Sequence, residues 1–451
     1  MRGSVFASLM SWATMIFLLL IAIPGRSADA GGKFSGMRPT QTPPSGSFSG
    51  VSPATRPGVV AVVVPAGTEK AKLAVGTISV DTQLGRSAGT GFVVEMGVAP
   101  CFITNQHVVA GAKTLSVVMY NGRRLKLNLK EAEASPTQDL IRIPISPADL
   151  MGLDSLKRGG LPQVGTEVYA LGNASGYKTL EVLPGSVVRI GGQDVEVTCK
   201  IVPGCSGGPI VDGNGKLVGV STYLRVIKKS EDGTGQGGGA ASPFENQENG
   251  PAAKHGSNGP ATGGDKTADE IRRYGMVISD GTEWTIRGED FMKQSMLLYD
   301  INTVCEHIAA YLECPINNAA MWIEDYKFNK RFEQISDPEL RAGVVSFFRN
   351  DEQTNRVRLH LMTQHRMNGT MESNNAKADV QAMIGYRKTA INGMVGMSNV
   401  ARTRHKAMAW TSDYLKGESE NAMQGLSLIR ATLNSSYNEL TEIEQQIRQG
   451  Q

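Results

Sequence analysis

Residues 57–226 of this chain consist of short β-rich runs separated by turn-forming residues. Examples of these runs are Val59–Val64, Thr90–Val94 and Leu217–Val220. The segments between them lack the three- and four-residue spacing of apolar side chains that is typical of an α-helix. Many short strands without intervening helices predict an all-β sandwich or barrel in this part of the chain.

The rest of the 451-residue chain divides into regions of different composition. Residues 31–56 are rich in Pro, Gly, Ser and Thr, which predicts a disordered leader. Residues 227–268 are rich in Gly, Asn and Ser, which predicts a flexible linker without a core of its own. We expect residues 269–451 to be mainly α-helical and to fold separately, so that a fragment ending near Val226 keeps the activity of the β-rich region.

The last helix of the C-terminal region carries a continuous apolar stripe. Its members recur at steps of three and four residues: Leu426, Ile429, Leu433, Tyr437, Leu440, Ile443 and Ile447. Such a stripe packs either against the helix's own domain or against a partner chain in a coiled coil. Both alternatives stay open, and the second would make the chain a homo-oligomer or bind it to another protein.

The first 30 residues have the pattern of a signal peptide. Arg2 supplies the positive charge, Met15–Ile23 is apolar, and Ala28–Ala30 fits the small-x-small cleavage rule. The apolar run is shorter than the ~20 residues of a membrane span, so we expect an exported, periplasmic or secreted protein without a stable span after cleavage. A retained signal-anchor is the alternative. The formal net charge of +3 is too small to indicate nucleic-acid binding.

The chain has five cysteines, an odd number for an exported protein. Cys305 and Cys314 are close in sequence, and we expect them to form a disulfide. A bond between Cys199 and Cys205 is a second hypothesis, since it would brace the loop in which Cys205 lies. The spacing of the cysteines is not that of zinc ligands, and we expect neither a metal nor a cofactor.

The hexapeptide Gly204–Pro209 is the strongest candidate for a chemical site, and it reads Gly-Cys-Ser-Gly-Gly-Pro. A serine hydroxyl needs a base to accept its proton and donors to stabilise the oxyanion that forms. Gly204 permits a turn in which its own N–H and that of Ser206 point at one position. The two glycines after the serine leave room for a peptide. The alternative is an ordinary glycine turn between two strands.

Two further residues can complete this chemistry. His107 lies at the end of a β-rich run that starts at Phe102, and histidine is the side chain that accepts and returns a proton near pH 7. Asp139 precedes the strand-like run Leu140–Ile143, where an acid can orient the imidazole. Each residue alone has a structural explanation. Their order along the chain, His, Asp and Ser, is that of chymotrypsin-like proteases and differs from the order in subtilisins and α/β-hydrolases.

The segment resembles the trypsin-like protease domain of the bacterial high-temperature-requirement (HtrA/Deg) peptidases. The matching segments are Gly89–Val94, Thr104–Val109, Asp139–Leu140, Ala170–Asn173, Gly204–Pro209 and Gly213–Val220. The resemblance covers residues 57–226 and implies two packed six-stranded β-barrels with the triad in the cleft between them. Cys205 departs from the Asn or Asp that is usual in the family, and a Cys205 nucleophile is the rival assignment. No peptide-binding PDZ domain is recognisable after this region.

We therefore expect a serine endopeptidase that acts on polypeptides through an acyl-enzyme. Two alternatives stay open: an inactive protease domain whose helices form a binding or assembly module, and an esterase with the same triad. We predict a primary pocket that is not tryptic, because Lys200 stands six residues before Ser206, where trypsin-type enzymes have an acid. Thr222, Tyr223 and Leu224 are predicted to form the opposite wall. A shifted loop would instead bring Glu196 or Asp194 into the pocket.

Overall fold

The computed structural model of the chain describes residues 64–97, 99–174, 179–227, 270–313, 331–349, 364, 367–368 and 374–450. The predicted signal peptide, the predicted leader and nearly all of the predicted linker therefore lie outside the described residues. The described part contains two β-structures, here called the first sheet and the closed barrel, followed by long α-helices.

The strands are short and rich in Val and Ile, side chains that fit a half-buried pleated surface. They are β1 Val75–Thr82, β2 Gly85–Met96, β3 Ala99–Thr104, β4 Thr114–Met119, β5 Arg124–Leu125, β6 Glu133–Ala134, β7 Ile141–Pro144, β8 Glu167–Gly172, β9 Glu181–Ile190, β10 Asp194–Val197, β11 Pro209–Asp212, β12 Leu217–Ile227, β13 Glu270–Met276 and β14 Ile286–Arg287. The first sheet has the order β14-β6-β7-β3-β2-β1-β4-β5, and the closed barrel has the order β10-β13-β12-β11-β8-β9. Neighbouring strands in both structures pair antiparallel.

The predicted fold class, a β-barrel protease-type domain followed by a helical region, is confirmed. The closed barrel has six strands, as expected. The first half differs in detail, because it forms an eight-stranded sheet rather than a six-stranded barrel. One of its edge strands, β14, comes from the segment directly before the long helices and pairs with β6.

The last strand of the closed barrel comes after the predicted linker. β13 pairs along one edge with β12, where Ile227 lies opposite Glu270, and along the other edge with β10. This pairing corrects the domain boundary predicted at residue 226, because the barrel closes only at Met276. Residues 228–269 are therefore an insertion between two hydrogen-bonded strands and do not separate two folding units.

The described helices are α1 Ala66–Ala71, α2 Gln106–Val109, α3 Pro147–Leu150, α4 Gly288–Glu313, α5 Pro338–Arg349, α6 Asn374–Ala407 and α7 Asp413–Arg448. Helices α4 to α7 form the helical region predicted for the C-terminal part. Within the described residues, none of the helices combines the length and the hydrophobicity that crossing a membrane requires.

The helical region and the first sheet share one hydrophobic core. Phe102 of β3, Phe291 and Tyr299 of α4, and Leu426 of α7 belong to the same buried cluster. The approach is close at Gly111, where an added Cβ would lie 2.5 Å from the ring of Tyr299. Because α4 begins directly after β14, the chain brings the helices onto the sheet without a spacer. The prediction that the helical region folds separately is corrected by this shared core.

The apolar stripe of α7 is buried over its first half. Leu426 and Leu433 are fully buried and Ile429 is nearly so, in a cluster that also contains Met394 and Met397 of α6. Towards the end of the helix the stripe becomes more accessible, and Ile443 is 45% exposed. The first half of the stripe therefore packs within its own chain, which favours the first of the two alternatives.

Candidate active site

His107 lies in the single-turn helix α2, which follows strand β3. Its ring nitrogen Nδ1 is 2.5 Å from Oδ2 of Asp139, and its backbone N–H donates to Oδ1 of the same carboxylate at 3.0 Å. Only 9% of each side chain is exposed. Because His107 engages both carboxylate oxygens, the imidazole is held in one orientation, with the proton assigned to Nδ1 and with Nε2 left to accept another.

Two buried amides immediately before His107 hold the loop that carries Asp139. Nδ2 of Asn105 donates to the carbonyl oxygen of Asp139 at 2.7 Å. Nε2 of Gln106 donates to three more carbonyl oxygens of this loop, those of Ser135, Gln138 and Leu140, at 2.7, 2.8 and 3.2 Å. Sequence reasoning missed both amides. The signal was two polar side chains between an apolar strand and a candidate base, because buried polar groups in such a place need partners.

Ser206 lies in a tight loop before β11 that depends on its glycines. Gly204 and Gly207 have positive φ angles of 93° and 81°. An added Cβ on Gly207 would lie 2.2 Å from Oγ1 of Thr104 and from the carbonyl oxygen of Thr90, so both conformation and space require glycine. Within the described part of the chain, the N–H groups of Gly204 and Ser206 make no backbone hydrogen bond. Neither donor therefore has a backbone acceptor among the described residues.

Strand β2 of the first sheet ties the Ser206 loop to the segment that carries His107. The backbone N–H of Thr90 donates to the carbonyl oxygen of Ser206 at 2.9 Å, and its Oγ1 donates to that of Gly204 at 2.7 Å. Thr104, at the end of β3, donates its hydroxyl to the carbonyl oxygen of Thr90 at 2.7 Å. The candidate nucleophile and the candidate base thus lie at the junction of the first sheet and the closed barrel, linked by one hydrogen-bond network.

Cys199 and Cys205 are both buried free thiols. Burial raises the pKa of Cys199 to about 11 and also raises the pKa of Cys205. Because the thiolate is the nucleophilic form, this burial disfavours Cys205 as the rival of Ser206. The hypothesis of a disulfide between the two cysteines is wrong, since both thiols are free. The loop is held instead by the hydrogen bonds of Thr90.

Two of the four predicted pocket residues, Lys200 and Thr222, have described side chains. Lys200 is exposed, in agreement with a position on a loop. Thr222 is buried, and its hydroxyl accepts a hydrogen bond from Nδ2 of Asn105 at 3.1 Å, which links it to the segment of His107. Tyr223 and Leu224 continue strand β12, and their side chains lie outside the described residues.

The two acids considered for a tryptic pocket are engaged elsewhere. Glu196 pairs with Arg189, at 3.2 Å between Oε2 and Nε, and with Arg272, at 3.7 Å between Oε1 and Nε. Oδ1 of Asp194 lies close over the β9–β10 turn, where an added Cβ on Gly191 would be 1.9 Å from it. Neither carboxylate is free to pair with a substrate cation.

Cys305 lies within α4 as a buried free thiol, and burial raises its pKa to about 12. Its predicted partner, Cys314, lies outside the described residues. The helix continues to Glu313, and at about 1.5 Å per residue it separates the Cα atoms of Cys305 and Glu313 by about 12 Å. Disulfides need Cα atoms about 4.4–6.8 Å apart. The helix therefore weighs against the bond, which stays a prediction for mass mapping under non-reducing conditions.

The arrangement contains the parts needed for acyl transfer to a serine. These parts are a hydroxyl in a glycine turn, an imidazole oriented by a carboxylate, and two backbone donors to which the described residues offer no backbone acceptor. In the ranges that the structure describes, no group of three or more His, Cys, Asp or Glu side chains is placed to hold a metal ion. Chemistry of this type proceeds without one.

Comparison with known families agrees with this geometry. Residues 89–220 match the family model described as a trypsin-like peptidase domain, and this range includes His107, Asp139 and Ser206. By this match and by its fold, this part of the chain is a trypsin-like peptidase domain.

The domain is similar to those of HtrA-type proteases. It is 29% identical over 173 residues to the serine protease Do-like HtrA of Bacillus subtilis, covering 35% of this chain and 37% of the relative. It is 31% identical over 147 residues to a probable periplasmic serine endoprotease, DegP-like, of Chlamydia trachomatis, covering 30% of this chain and 28% of the relative. A solved serine endoprotease from Yersinia pestis is 25% identical, with a TM-score of 0.30, over 35% of this chain and 56% of that chain. The chain thus spans 37% and 28% of the lengths of these two curated relatives.

Proposed function

We propose that this chain is a serine endopeptidase in which Ser206 is the nucleophile, His107 the general base and Asp139 the residue that orients His107. The observation that carries the proposal is the two-point contact of Asp139 with Nδ1 and the backbone N–H of His107, at 2.5 and 3.0 Å. A general base needs such fixation because its free nitrogen must face the nucleophile.

In the proposed reaction, Oγ of Ser206 attacks the carbonyl carbon of a peptide while Nε2 of His107 accepts the hydroxyl proton. The carbonyl oxygen becomes an oxyanion, for which the N–H groups of Gly204 and Ser206 are the proposed donors. His107 then gives the proton to the leaving amine, which leaves an acyl-enzyme. A water molecule, deprotonated by the same nitrogen, hydrolyses the ester and regenerates Ser206. These steps use neither a metal nor a cofactor.

The proposed substrates are exported or unfolded polypeptides, in the periplasm or outside the cell. The signal-peptide pattern of residues 1–30 supports export. Several similar proteins are named as probable periplasmic serine endoproteases. The proposal therefore takes the chain as a secreted or periplasmic protein whose partners are its polypeptide substrates.

A fluorophosphonate probe tests the proposed nucleophile. We expect the wild-type protein to be labelled at Ser206, as located by peptide mass mapping, and Ser206→Ala to remain unlabelled. Cys205→Ala is the matched control and is expected to be labelled like the wild type, because its buried thiol has no part in the chemistry. Labelling with casein hydrolysis supports the endopeptidase, and labelling with hydrolysis of acyl esters alone supports an esterase. An unlabelled wild type would favour the inactive binding or assembly module.

We predict cleavage after small or aliphatic residues such as Val, Ala and Leu rather than after Arg or Lys. Glu196 is already paired with two arginines, and the exposed Lys200 adds positive charge to the predicted pocket loop. A substrate cation would lose its water without gaining a carboxylate, which costs several kcal/mol. Profiling on a mixed peptide library measures the preference, with Ser206→Ala as the blank. Dominant cleavage after Arg or Lys would show that an acid reaches the pocket.

A further inference from the structure

The helical region reaches the candidate active site through the first residues of α7. Ser412 is the N-cap of this helix, and its Oγ accepts a hydrogen bond from the N–H of Leu415 at 3.3 Å. The same hydroxyl donates to Oε1 of Gln106 at 2.6 Å, and Ser412 is only 1% exposed. Because Gln106 directly precedes His107, the cap of a C-terminal helix bonds to the segment that carries the candidate base.

Gln106 connects this cap to Asp139. Its Oε1 accepts the hydrogen bond from Ser412, and its Nε2 donates to three carbonyl oxygens of the Asp139 loop. A side-chain amide has one accepting end and one donating end, so a hydroxyl donor at the accepting end selects which way the amide points. In the reversed orientation Oε1 would face carbonyl oxygens and the loop would lose its donor. The hydroxyl of Ser412 therefore selects the orientation in which Gln106 holds the loop.

The residues that follow Ser412 contact the same site. The backbone N–H of Asp413 donates to the carbonyl oxygen of Pro136 at 2.8 Å, within the Asp139 loop. The ring of Tyr414 packs near the ring of His107, with 6.2 Å between the centroids and 56° between the planes. The N-cap residue Ser412 and the first two residues of α7 thus contact both the loop of the candidate acid and the ring of the candidate base.

We propose that Ser412 is a positioning residue of the active site. Its hydroxyl holds Gln106, Gln106 holds the loop of Asp139, and Asp139 holds His107. This inference rests on the proposed function, because it assigns a role relative to that triad. Since Ser412 acts on the orientation of the base through other residues, loss of the link slows the chemical step and leaves substrate binding largely intact. The helical region is then part of the catalytic apparatus.

The first test is Ser412→Ala, which removes the donor to Gln106. We expect kcat to fall about tenfold, with KM changed by less than about twofold. Dividing kcat by the number of fluorophosphonate-reactive Ser206 residues removes the contribution of misfolded protein. Ser412→Thr keeps the hydroxyl and is expected to restore kcat to within about twofold of the wild type. Ser427→Ala is the matched control on the same helix, because its hydroxyl donates within that helix, to the carbonyl oxygen of Met423 at 2.8 Å.

Ser412→Asp separates helix capping from positioning. Aspartate caps a helix as well as serine does, but its carboxylate has no proton to donate to Gln106. We expect it to lower kcat at least as much as Ser412→Ala. If both variants keep the wild-type turnover per labelled site, whatever their melting temperatures, the role of Ser412 is purely structural. That result would overturn the inference and leave the proposed function standing. If the wild-type protein is neither labelled nor active, both this inference and the proposed function are overturned.

Discussion

Replacement of Ser206 by alanine is expected to lower kcat for peptide hydrolysis by several orders of magnitude. The residual rate, about 10³–10⁴-fold above that in water, would come from substrate binding and the oxyanion donors. His107→Ala is expected to cost a similar factor, and the double variant little more than either single one, because the two groups act as one unit. The measurement is kcat on a fluorescence-quenched peptide substrate whose sequence is chosen from the cleavage profile.

The control for this prediction is the neighbouring thiol. Cys205→Ala is expected to keep the turnover of the wild type, since burial keeps the Cys205 thiol protonated. Loss of activity in Cys205→Ala together with full activity in Ser206→Ala would move the nucleophile to Cys205. Equal activity of all variants would mean that the hydrolysis measured comes from a contaminant.

A chain that ends at Val226 is expected not to reach the native fold. It lacks β13, which pairs with both β10 and β12, so the closed barrel would be left open with two unpaired edges. It also lacks the helices whose apolar side chains share a core with the first sheet. We expect a species without near-ultraviolet circular dichroism that binds a hydrophobic dye and aggregates.

A chain that ends at Arg287 separates the loss of β13 from the loss of the helices. It keeps all the strands of both β-structures but exposes the apolar side chains of the first sheet that share a core with the helical region. We expect the strand content to persist while ordered packing and turnover are lost, as measured by circular dichroism, size-exclusion chromatography and fluorophosphonate labelling. A monomeric, labelled and active fragment of either length would show that the helices are dispensable.

The candidate site of this chain could be predicted from its sequence because each part of the site is local. The glycines around Ser206 indicate a turn with positive φ angles, His107 follows a strand-like run, and Asp139 precedes another. The relative positions of these three residues follow once those runs are taken as strands of a chymotrypsin-like fold. The two amides before His107 are equally local, but an Asn or Gln does not reveal from sequence which backbone group it will hold.

The parts that could not be predicted depend on long-range pairing. β13 has Arg272 and Arg273 side by side, so it lacks the apolar alternation that marks a strand, and its partners are fixed only by the closed barrel. The pairing of β12 with β13 shifts register between Ser221 and Tyr223, and such an irregularity cannot be read by counting along the chain. The hydrogen bond between Ser412 and Gln106 joins residues 306 positions apart in the sequence. Such a contact produces no periodic pattern of residues from which it could be predicted.

The pairing of Ile227 with Glu270 means that the chain leaves the closed barrel and re-enters it at the same point. The free-energy cost of closing a loop between two such fixed ends grows only with the logarithm of its length, by about 0.6 kcal/mol per doubling. The barrel should therefore accept inserts of widely different size here, including a folded domain whose own termini lie close together. A domain inserted at this position is expected to leave His107, Asp139 and Ser206 in place, whereas under our proposal a change at Ser412 slows the chemical step.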